Sequence, residues 1–347
     1  MANIIEVSDK LKSLIAEKGD IKAQYSVALT QTREITMENG EFTLFRTLFD
    51  NDVEIKVIKD GKVGTTSLNK FDDKALSDAV DNVLVSAEAG TADENFDIAP
   101  GMDEAKFTIG AVEPDIDKLM QRAKELSEDI KNRHPKVLVM QIILKHVSTH
   151  SIYRNTNGSR DEKVSGRYEV SVEFAGNDGE NSTGIAGTFV AVSSLDKPFI
   201  ELGSIEKDLK DAEASLNPIS VDGKFEGDVI FTPSCAMIMT YYALSNFVGE
   251  SAVLENTGLW LGKIGQKVAA DKLTVAMKPW DERIVNHEVH TDDGFRSEDY
   301  TIIENGVLKS YMTSLYAANK CKVERAKNSG FDLVIEGGDM ALADMIK

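Results

Sequence analysis

The segment from Phe231 to Ser251 reads Phe231-Thr-Pro-Ser-Cys-Ala-Met-Ile-Met-Thr-Tyr-Tyr-Ala-Leu-Ser-Asn-Phe-Val-Gly-Glu-Ser251. Thr232 is a suitable N-cap, and Pro233 suits the first helical position, where no intrahelical N–H bond is lost. Nearly every residue from 235 to 248 is apolar, so the helix has no polar stripe. The pattern predicts a buried helix that ends at Gly249, because glycine tolerates the backbone conformations that end helices.

Several short motifs on both sides of this helix share a family likeness. They are Asp60-Gly-Lys-Val-Gly-Thr-Thr-Ser67, Tyr153-Arg-Asn-Thr-Asn-Gly158, Leu261-Gly-Lys-Ile-Gly-Gln-Lys267, Asp292-Asp-Gly294, Gly306-Val-Leu308 and Ser314-Leu-Tyr-Ala-Ala-Asn319. In this order and spacing, together with the helix, they resemble the TldD/PmbA family, also known as the modulator-of-gyrase family. The likeness extends over most of the chain.

The resemblance makes three helix positions informative. One branch of the family carries His-Glu-x-x-x-His on this helix, which supplies two zinc ligands and a carboxylate that activates water. With Gly249 matched to the glycine that follows that motif, the three positions are Thr240, Tyr241 and Ser245. Hydroxyl groups are poor zinc ligands beside imidazole, and tyrosine is a poor base near neutral pH. The chain therefore resembles the PmbA branch, also called TldE, whose members lack the zinc motif.

The resemblance implies a function that needs a second chain. We expect a non-catalytic subunit of a cytoplasmic zinc metallopeptidase that cleaves or matures extended, unfolded peptides. This chain would hold no metal or other cofactor, because a TldD-like partner would supply the zinc. The alternative is a homodimeric protein that binds a peptide or small ligand without hydrolysis. A third hypothesis is an independent enzyme that uses His287, Glu288, His290 and the aspartates beside them.

The third hypothesis depends on the sequence His287-Glu-Val-His290, which Asp292 and Asp293 follow. On a strand the two imidazoles would point to opposite faces, whereas on a helix they would be neighbours. Asp292-Asp293-Gly294 is typical of a turn, so a helix is not expected here. We interpret the run as a solvated loop. A metal site formed by His287, His290, Asp292 and Asp293 is the alternative.

Other side chains that could carry chemistry have simpler interpretations. Cys235 falls within the apolar helix, so we predict a buried and unreactive thiol. His146 and His150 are four residues apart, as in a helical metal pair, but they lie in a strand-like run. We therefore predict that both histidines are polar residues that face outward.

Composition limits the class of protein. The 347 residues can bury a sizeable core, and they carry a formal net charge of −19 with only two cysteines. Such a charge argues against binding to nucleic acid or anionic membranes, which requires clustered Lys and Arg. The start of the sequence shows no leader pattern, and no segment has the length and apolarity of a membrane span. Cytoplasmic residence is the expectation.

Periodicity predicts an α+β protein with two lobes. Turn residues between 215 and 227 suggest a boundary that separates an α+β domain (residues 1–215) from a second domain (residues 216–347). The resemblance implies that the second domain has an antiparallel, barrel-like sheet around the buried helix. In the first domain, residues 53–58 alternate between apolar and charged side chains, which predicts a strand with one solvated face.

Individual strands are predicted from the same patterns. Residues 23–32 and 33–37 are expected to form two separate strands, and so are residues 137–146 and 151–154. The last residues resemble a family strand and short helix that normally lead into a further segment. That segment supplies a cysteine ligand in zinc-bearing members, so we expect either a short member or a truncated sequence.

Overall fold

Long antiparallel strands form the larger of two sheets in the computed structural model, which describes residues 3–220, 223, 224, 226–330 and 332–346. The strands are β1 (Lys22–Glu38), β2 (Glu41–Lys59), β3 (Lys62–Leu68), β4 (Ala105–Gly110), β5 (Val137–Asn155), β6 (Arg160–Gly176) and β7 (Ala186–Val192). Their order in the sheet is β3-β2-β1-β5-β6-β4, and β7 pairs with the second half of β6. The strand β4 runs parallel to β6, and the other pairs are antiparallel.

Helices cover one face of this sheet. They are α1 (Ile4–Ala16), α2 (Asp73–Ala89), α3 (Ile116–Arg133), a short 3-10 helix (Phe199–Glu201) and α4 (Ile205–Ala214). One apolar cluster joins α1 and α2 to β1, β2 and β3, and another joins α3 and α4 to β1, β5 and β6. Each leucine or isoleucine fully buried in these clusters contributes about 1.5–3 kcal/mol of stability.

A smaller sheet organises the other end of the chain. Its strands are β8 (Val275–Met277), β9 (Tyr300–Glu304), β10 (Val307–Leu308) and β11 (Leu333–Ile335), in the antiparallel order β10-β9-β8-β11. Its helices are α5 (Pro233–Val248), α6 (Glu250–Leu254), α7 (Leu315–Cys321) and α8 (Leu342–Met345). We call residues 3–214 the N-terminal lobe and residues 233–346 the C-terminal lobe. The predicted α+β fold is confirmed.

The long strands correct two predictions. Residues 22–38 form one strand instead of two, and residues 137–155 likewise form one strand. No turn interrupts either segment, because β1 pairs with both β2 and β5 along its length. This continuous hydrogen bonding keeps the polar residues of each segment in extended conformation. The prediction that His146 faces outward was wrong. Its ring is fully buried, and Nε2–H donates to the Ala111 carbonyl at 2.7 Å.

The predicted helix 233–248 is present, but the prediction that it is buried was wrong for most of its length. Only Leu244 and Val248 are buried on this helix. Those two residues belong to the last turns, which pack on β8, β9 and β10. Cys235 lies in the first turn and is exposed, contrary to the prediction of a buried thiol. The apolar composition predicted burial along the whole helix, whereas the described packing partners contact its C-terminal end.

The two lobes are joined by a segment that crosses from α2 to β4. In this segment, Asp93 accepts hydrogen bonds from Tyr316 at 2.9 Å and Lys320 at 2.8 Å, both on α7. The Phe96 ring stacks on Tyr316, with 4.4 Å between centroids and 18° between planes. The Asn319 amide donates to the Asn95 carbonyl at 3.0 Å. These contacts fix α7 against the N-terminal lobe.

In the part of the chain that the structure describes, no helix combines the length and apolarity needed to cross a membrane.

Replacing Tyr316 with alanine should destabilise the protein by about 2 kcal/mol, because both the stacking on Phe96 and the hydrogen bond to Asp93 are lost. Urea unfolding followed by fluorescence would measure the loss, since Trp260 and Trp280 both lie in the C-terminal lobe. Tyr316→Phe keeps the stacking and should cost clearly less. An equal decrease in the free energy of unfolding for the two variants would show that stacking on Phe96 contributes nothing to stability.

Candidate functional site

A cavity of about 700 Å³ lies between the two lobes. Its floor is the face of the large sheet that points away from α1 and α2. Ser26 on β1 lies beside Glu54 on β2 and Tyr153 on β5, and Tyr153 lies beside Asp161 on β6. One row of cross-strand neighbours thus spans four strands with polar side chains. Residues 290–292 of the C-terminal lobe form the opposite wall.

Strand periodicity explains why the floor is polar. On β2, Val53, Ile55 and Val57 are buried against the helices, whereas Glu54 and Lys56 point to the other face. The alternation that predicted one solvated face therefore identified the floor of the cavity. The sequence alone did not show that a second lobe covers part of this face.

Asp161 is the most deeply buried charged group of the cavity, with 1% of its side chain exposed. Its Oδ2 accepts hydrogen bonds from His290 Nε2 at 2.6 Å and Arg296 Nε at 3.0 Å. Its Oδ1 accepts from Arg296 Nη2 at 2.7 Å and from the Ala105 backbone N–H at 2.9 Å. Burial alone would raise the pKa of Asp161, but the bonds from His290 and Arg296 outweigh it and lower the pKa to about 2.

The Asp-Asp-Gly turn fits closely against Tyr153. The Tyr153 ring stacks on His290 with 4.4 Å between centroids, and burial raises the pKa of its hydroxyl. Gly294 has φ of +85°, and a Cβ at this position would lie 1.8 Å from the Tyr153 hydroxyl oxygen. The turn therefore requires glycine both for its backbone angle and for this contact.

A second cavity, of about 270 Å³, adjoins the first and shares Thr291 and Asp292 with it. Tyr241 and Ser245 line it from α5, one helical turn apart. Thr240 is half-buried, and it is not among the described residues that line this cavity. The structure thus brings two of the three positions singled out in the sequence, Tyr241 and Ser245, to one cavity.

Carboxylates in the second cavity hold the start of α7. Glu250 Oε2 accepts a hydrogen bond from the Ser314 N–H at 2.8 Å, and Asp293 Oδ2 accepts from the Leu315 N–H at 2.7 Å. Both satisfy backbone donors that would otherwise be unpaired at a helix N-terminus. Among the described residues, no group of three or more His, Cys, Asp and Glu side chains is arranged to hold a metal ion.

The alternative metal cluster does not come together around one point. His290 bonds to Asp161, whereas His287 Nδ1–H donates to the Pro279 carbonyl at 2.5 Å. Asp293 holds α7, and Asp292 is exposed. These four side chains therefore do not converge. His290 and Asp293 stabilise the junction between the lobes, since Asp293 Oδ1 also lies 3.8 Å from Lys56 Nζ on β2.

Sequence reasoning missed Lys163, which lines the first cavity and a third one of about 390 Å³. Its Nζ donates to the His287 carbonyl at 2.8 Å, and burial lowers the pKa of this ammonium group. Burial raises the pKa of Asp332, which also lines the third cavity. The period-two pattern of β6 could have placed Asp161 and Lys163 on one face, but no pattern indicated what covers that face.

The three cavities are neighbours, since the first shares lining residues with each of the other two. The first has the size of small-ligand sites, and it offers hydroxyl, amide, carboxylate and ammonium groups from several strands. Such groups can bind the polar backbone of an extended chain. The first cavity therefore has the size and the polar lining of a binding site.

Two family models match the chain. One is described as the PmbA/TldA metallopeptidase C-terminal domain and matches residues 224–347. The other is described as PmbA/TldA metallopeptidase domain 1 and matches residues 28–87. The first match contains α5, and the second contains most of β1, β2 and β3.

Curated relatives are longer than this chain. A protein named Metalloprotease from Methanothermobacter thermautotrophicus is 24% identical over 241 residues, which cover 64% of this chain and 52% of the relative. A protein named Metalloprotease PmbA homolog from Haemophilus influenzae is 22% identical over 306 residues, which cover 85% of this chain and 65% of the relative. The chain therefore spans about half to two thirds of the length of these relatives.

Solved structures share the fold. TldE from Thermococcus kodakarensis superposes with a TM-score of 0.77 at 18% identity, over 98% of this chain and 80% of that one. A candidate modulator of DNA gyrase from Bacteroides thetaiotaomicron gives a TM-score of 0.77 at 19% identity, over 99% of this chain and 79% of that one. At these identities the likeness establishes the common fold.

Replacing Asp161 with asparagine should cost about 2 kcal/mol of stability at pH 7, since the folded-state pKa lies well below the unfolded value near 3.9. A lowered pKa stabilises the protein above the unfolded value, and this contribution disappears as the pH falls toward 2. The difference in the free energy of unfolding between variant and wild type should therefore decrease as the pH falls from 5 to 3. Urea unfolding at several pH values would measure it, with exposed Asp20→Asn as the control. A difference in unfolding free energy that stays constant over this pH range would contradict the lowered pKa of Asp161.

Proposed function

We propose that this chain, which belongs to the PmbA/TldD metallopeptidase family, is the zinc-free subunit of a two-chain peptidase that acts on extended, poorly folded peptides. A zinc-bearing chain of the same family supplies the metal and its activated water. This chain supplies part of the surface that holds the peptide. The two free cysteines support the reducing cytoplasm as its compartment.

The observation that carries the proposal is the position of Tyr241 and Ser245. Both line the second cavity, at positions where zinc-bearing family members are expected to present a carboxylate and an imidazole. Two of the carboxylates that line this cavity, Glu250 and Asp293, are bonded to the start of α7. The second cavity adjoins the first, and its lining side chains from α5 offer hydroxyl groups in place of zinc ligands.

The polar floor of the first cavity supports a peptide as the ligand. Ser26, Ser67 and Ser151 present small side chains from three strands, so an extended chain can approach the floor closely. Groups such as these bind peptide backbone with little preference for sequence. The TldE protein with the same fold supports the assignment to the subunit branch.

One observation favours a second candidate function. The first cavity, at about 700 Å³, has the size of small-ligand sites, so it could also hold a ligand that is not hydrolysed. The chain would then be a homodimeric protein that binds a peptide or small ligand and does not hydrolyse it.

Mixing this chain with a His-Glu-x-x-x-His relative from the same cell tests the two functions. The subunit function predicts a stable complex, peptide cleavage by the mixture, and neither cleavage nor stoichiometric zinc in the isolated chain. Peptide binding by the isolated chain, with no activity gained on mixing, would favour the second function. Cleavage with stoichiometric zinc in this chain alone would exclude both.

A bulky side chain on the cavity floor should weaken peptide binding. Ser26→Trp fills space beside Glu54 and Tyr153, and we expect peptide affinity to fall by about tenfold or more. Association with the zinc-bearing chain should be unchanged. Val85→Trp is the matched control, because Val85 is 65% exposed on α2, on the other side of the sheet. Unchanged affinity in Ser26→Trp would show that peptide binds elsewhere.

A further inference from the structure

The charged side chains that line the first cavity fall into two groups. Two of them, Lys56 and Asp161, form ion pairs within this chain. The others form no ion pair with any residue that the structure describes: Glu54, Lys163 and Asp292. The cavity therefore presents charges of both signs that a ligand can neutralise.

The unpaired charges of opposite sign lie at opposite sides of the cavity floor. Glu54 is on β2 and Lys163 is on β6, and the strand order β2-β1-β5-β6 places three interstrand spacings between them. Each spacing is about 4.8 Å, so the two strands are roughly 14 Å apart. Burial raises the pKa of Glu54, and the negative charges of Asp52 and Asp292 raise it further. A cation between Glu54 and Asp292 would relieve this repulsion.

At the other side, Lys163 is an ammonium group without an anion in contact. Its Nζ donates a hydrogen bond to the His287 carbonyl at 2.8 Å. An ammonium group has three donors, so others remain for a ligand. The carboxylates of Glu288 and Asp332 favour its charged form from a distance, yet neither forms an ion pair with it, and burial lowers its pKa. A carboxylate of a ligand would therefore meet a charge that the described chain leaves unpaired.

From this arrangement we propose that the first cavity binds short free peptides by both of their termini. The terminal ammonium group lies between Glu54 and Asp292, and the terminal carboxylate lies on Lys163. An extended peptide covers about 3.5 Å per residue, so about four residues span the floor. The inference rests on the peptide-binding role in the proposed function, and it narrows the substrate class to short peptides with unmodified ends.

Small side chains lie beside both charged positions. Ser26 is the β1 neighbour of Glu54, and Ser151 is the β5 neighbour of Lys163. Both serines line the cavity, so a peptide backbone can pass over them and form hydrogen bonds with their hydroxyl groups. Free peptides of any sequence carry the same two terminal charges. Recognition of the termini therefore explains how one site can hold peptides of many sequences.

Calorimetric titration of the isolated chain with three forms of tetra-alanine tests the proposal. The wild type should bind the peptide with free termini about tenfold more tightly than the N-acetylated or the C-amidated form. In Glu54→Gln, acetylation should have no further effect, whereas amidation should still weaken binding. In Lys163→Gln the pattern should be reversed. Each variant keeps its recognition of the other terminus, so misfolding cannot produce this result.

Glu17→Gln and Lys12→Gln are the matched controls. Lys12 is exposed on α1 and Glu17 is exposed directly after it, on the other side of the sheet, so all three affinities should stay unchanged. Equal affinity of the wild type for the three forms, or no binding of any form, would overturn the proposal. Cleavage of longer peptides by the mixture with the zinc-bearing chain tests the proposed function separately. Cleavage together with equal affinities would show that only the recognition of termini has failed.

Discussion

The burial of one carboxylate, Asp161, determines how the lobes meet. A carboxylate removed from water is costly unless charged or hydrogen-bonding groups compensate it. The side chains that compensate it, His290 and Arg296, belong to the C-terminal lobe. Asp161 can therefore be buried and ionised only when the lobes are docked. Docking also stacks His290, in the wall of the first cavity, on Tyr153 in its floor.

The periodic parts of the structure could be predicted from the sequence. Period-two alternation at residues 53–58 predicted the solvated face that forms the floor of the first cavity. The buried residues of α3 recur at helical spacing: Leu119, Ala123, Leu126 and Ile130. The Asp-Asp-Gly turn was also visible, because Gly294 allows a backbone conformation that other residues avoid. Each of these signals is local, so a single segment contains it.

The remaining features depend on contacts between distant segments. Asp161 and His290 are 129 residues apart, and nothing in either neighbourhood indicates the other. His146 was predicted to face outward because polar residues usually do, yet a single backbone carbonyl satisfies Nε2 in the interior. The helix α5 shows the opposite case, since its composition predicted burial and its first turns have few packing partners. The composition of a segment limits the environments in which it is stable, whereas its tertiary neighbours determine whether it is buried.

The alternation in β2 also separates two evolutionary pressures. Val53, Ile55 and Val57 maintain the fold, while Glu54 and Lys56 on the intervening positions face the ligand space. Substitutions on the cavity side change what the floor recognises and leave the packed side intact. The side of β2 that faces the cavity can therefore vary at little cost to folding, while the side that packs against the helices stays constant. Residues that hold the fold and residues that face the cavity alternate along a single strand.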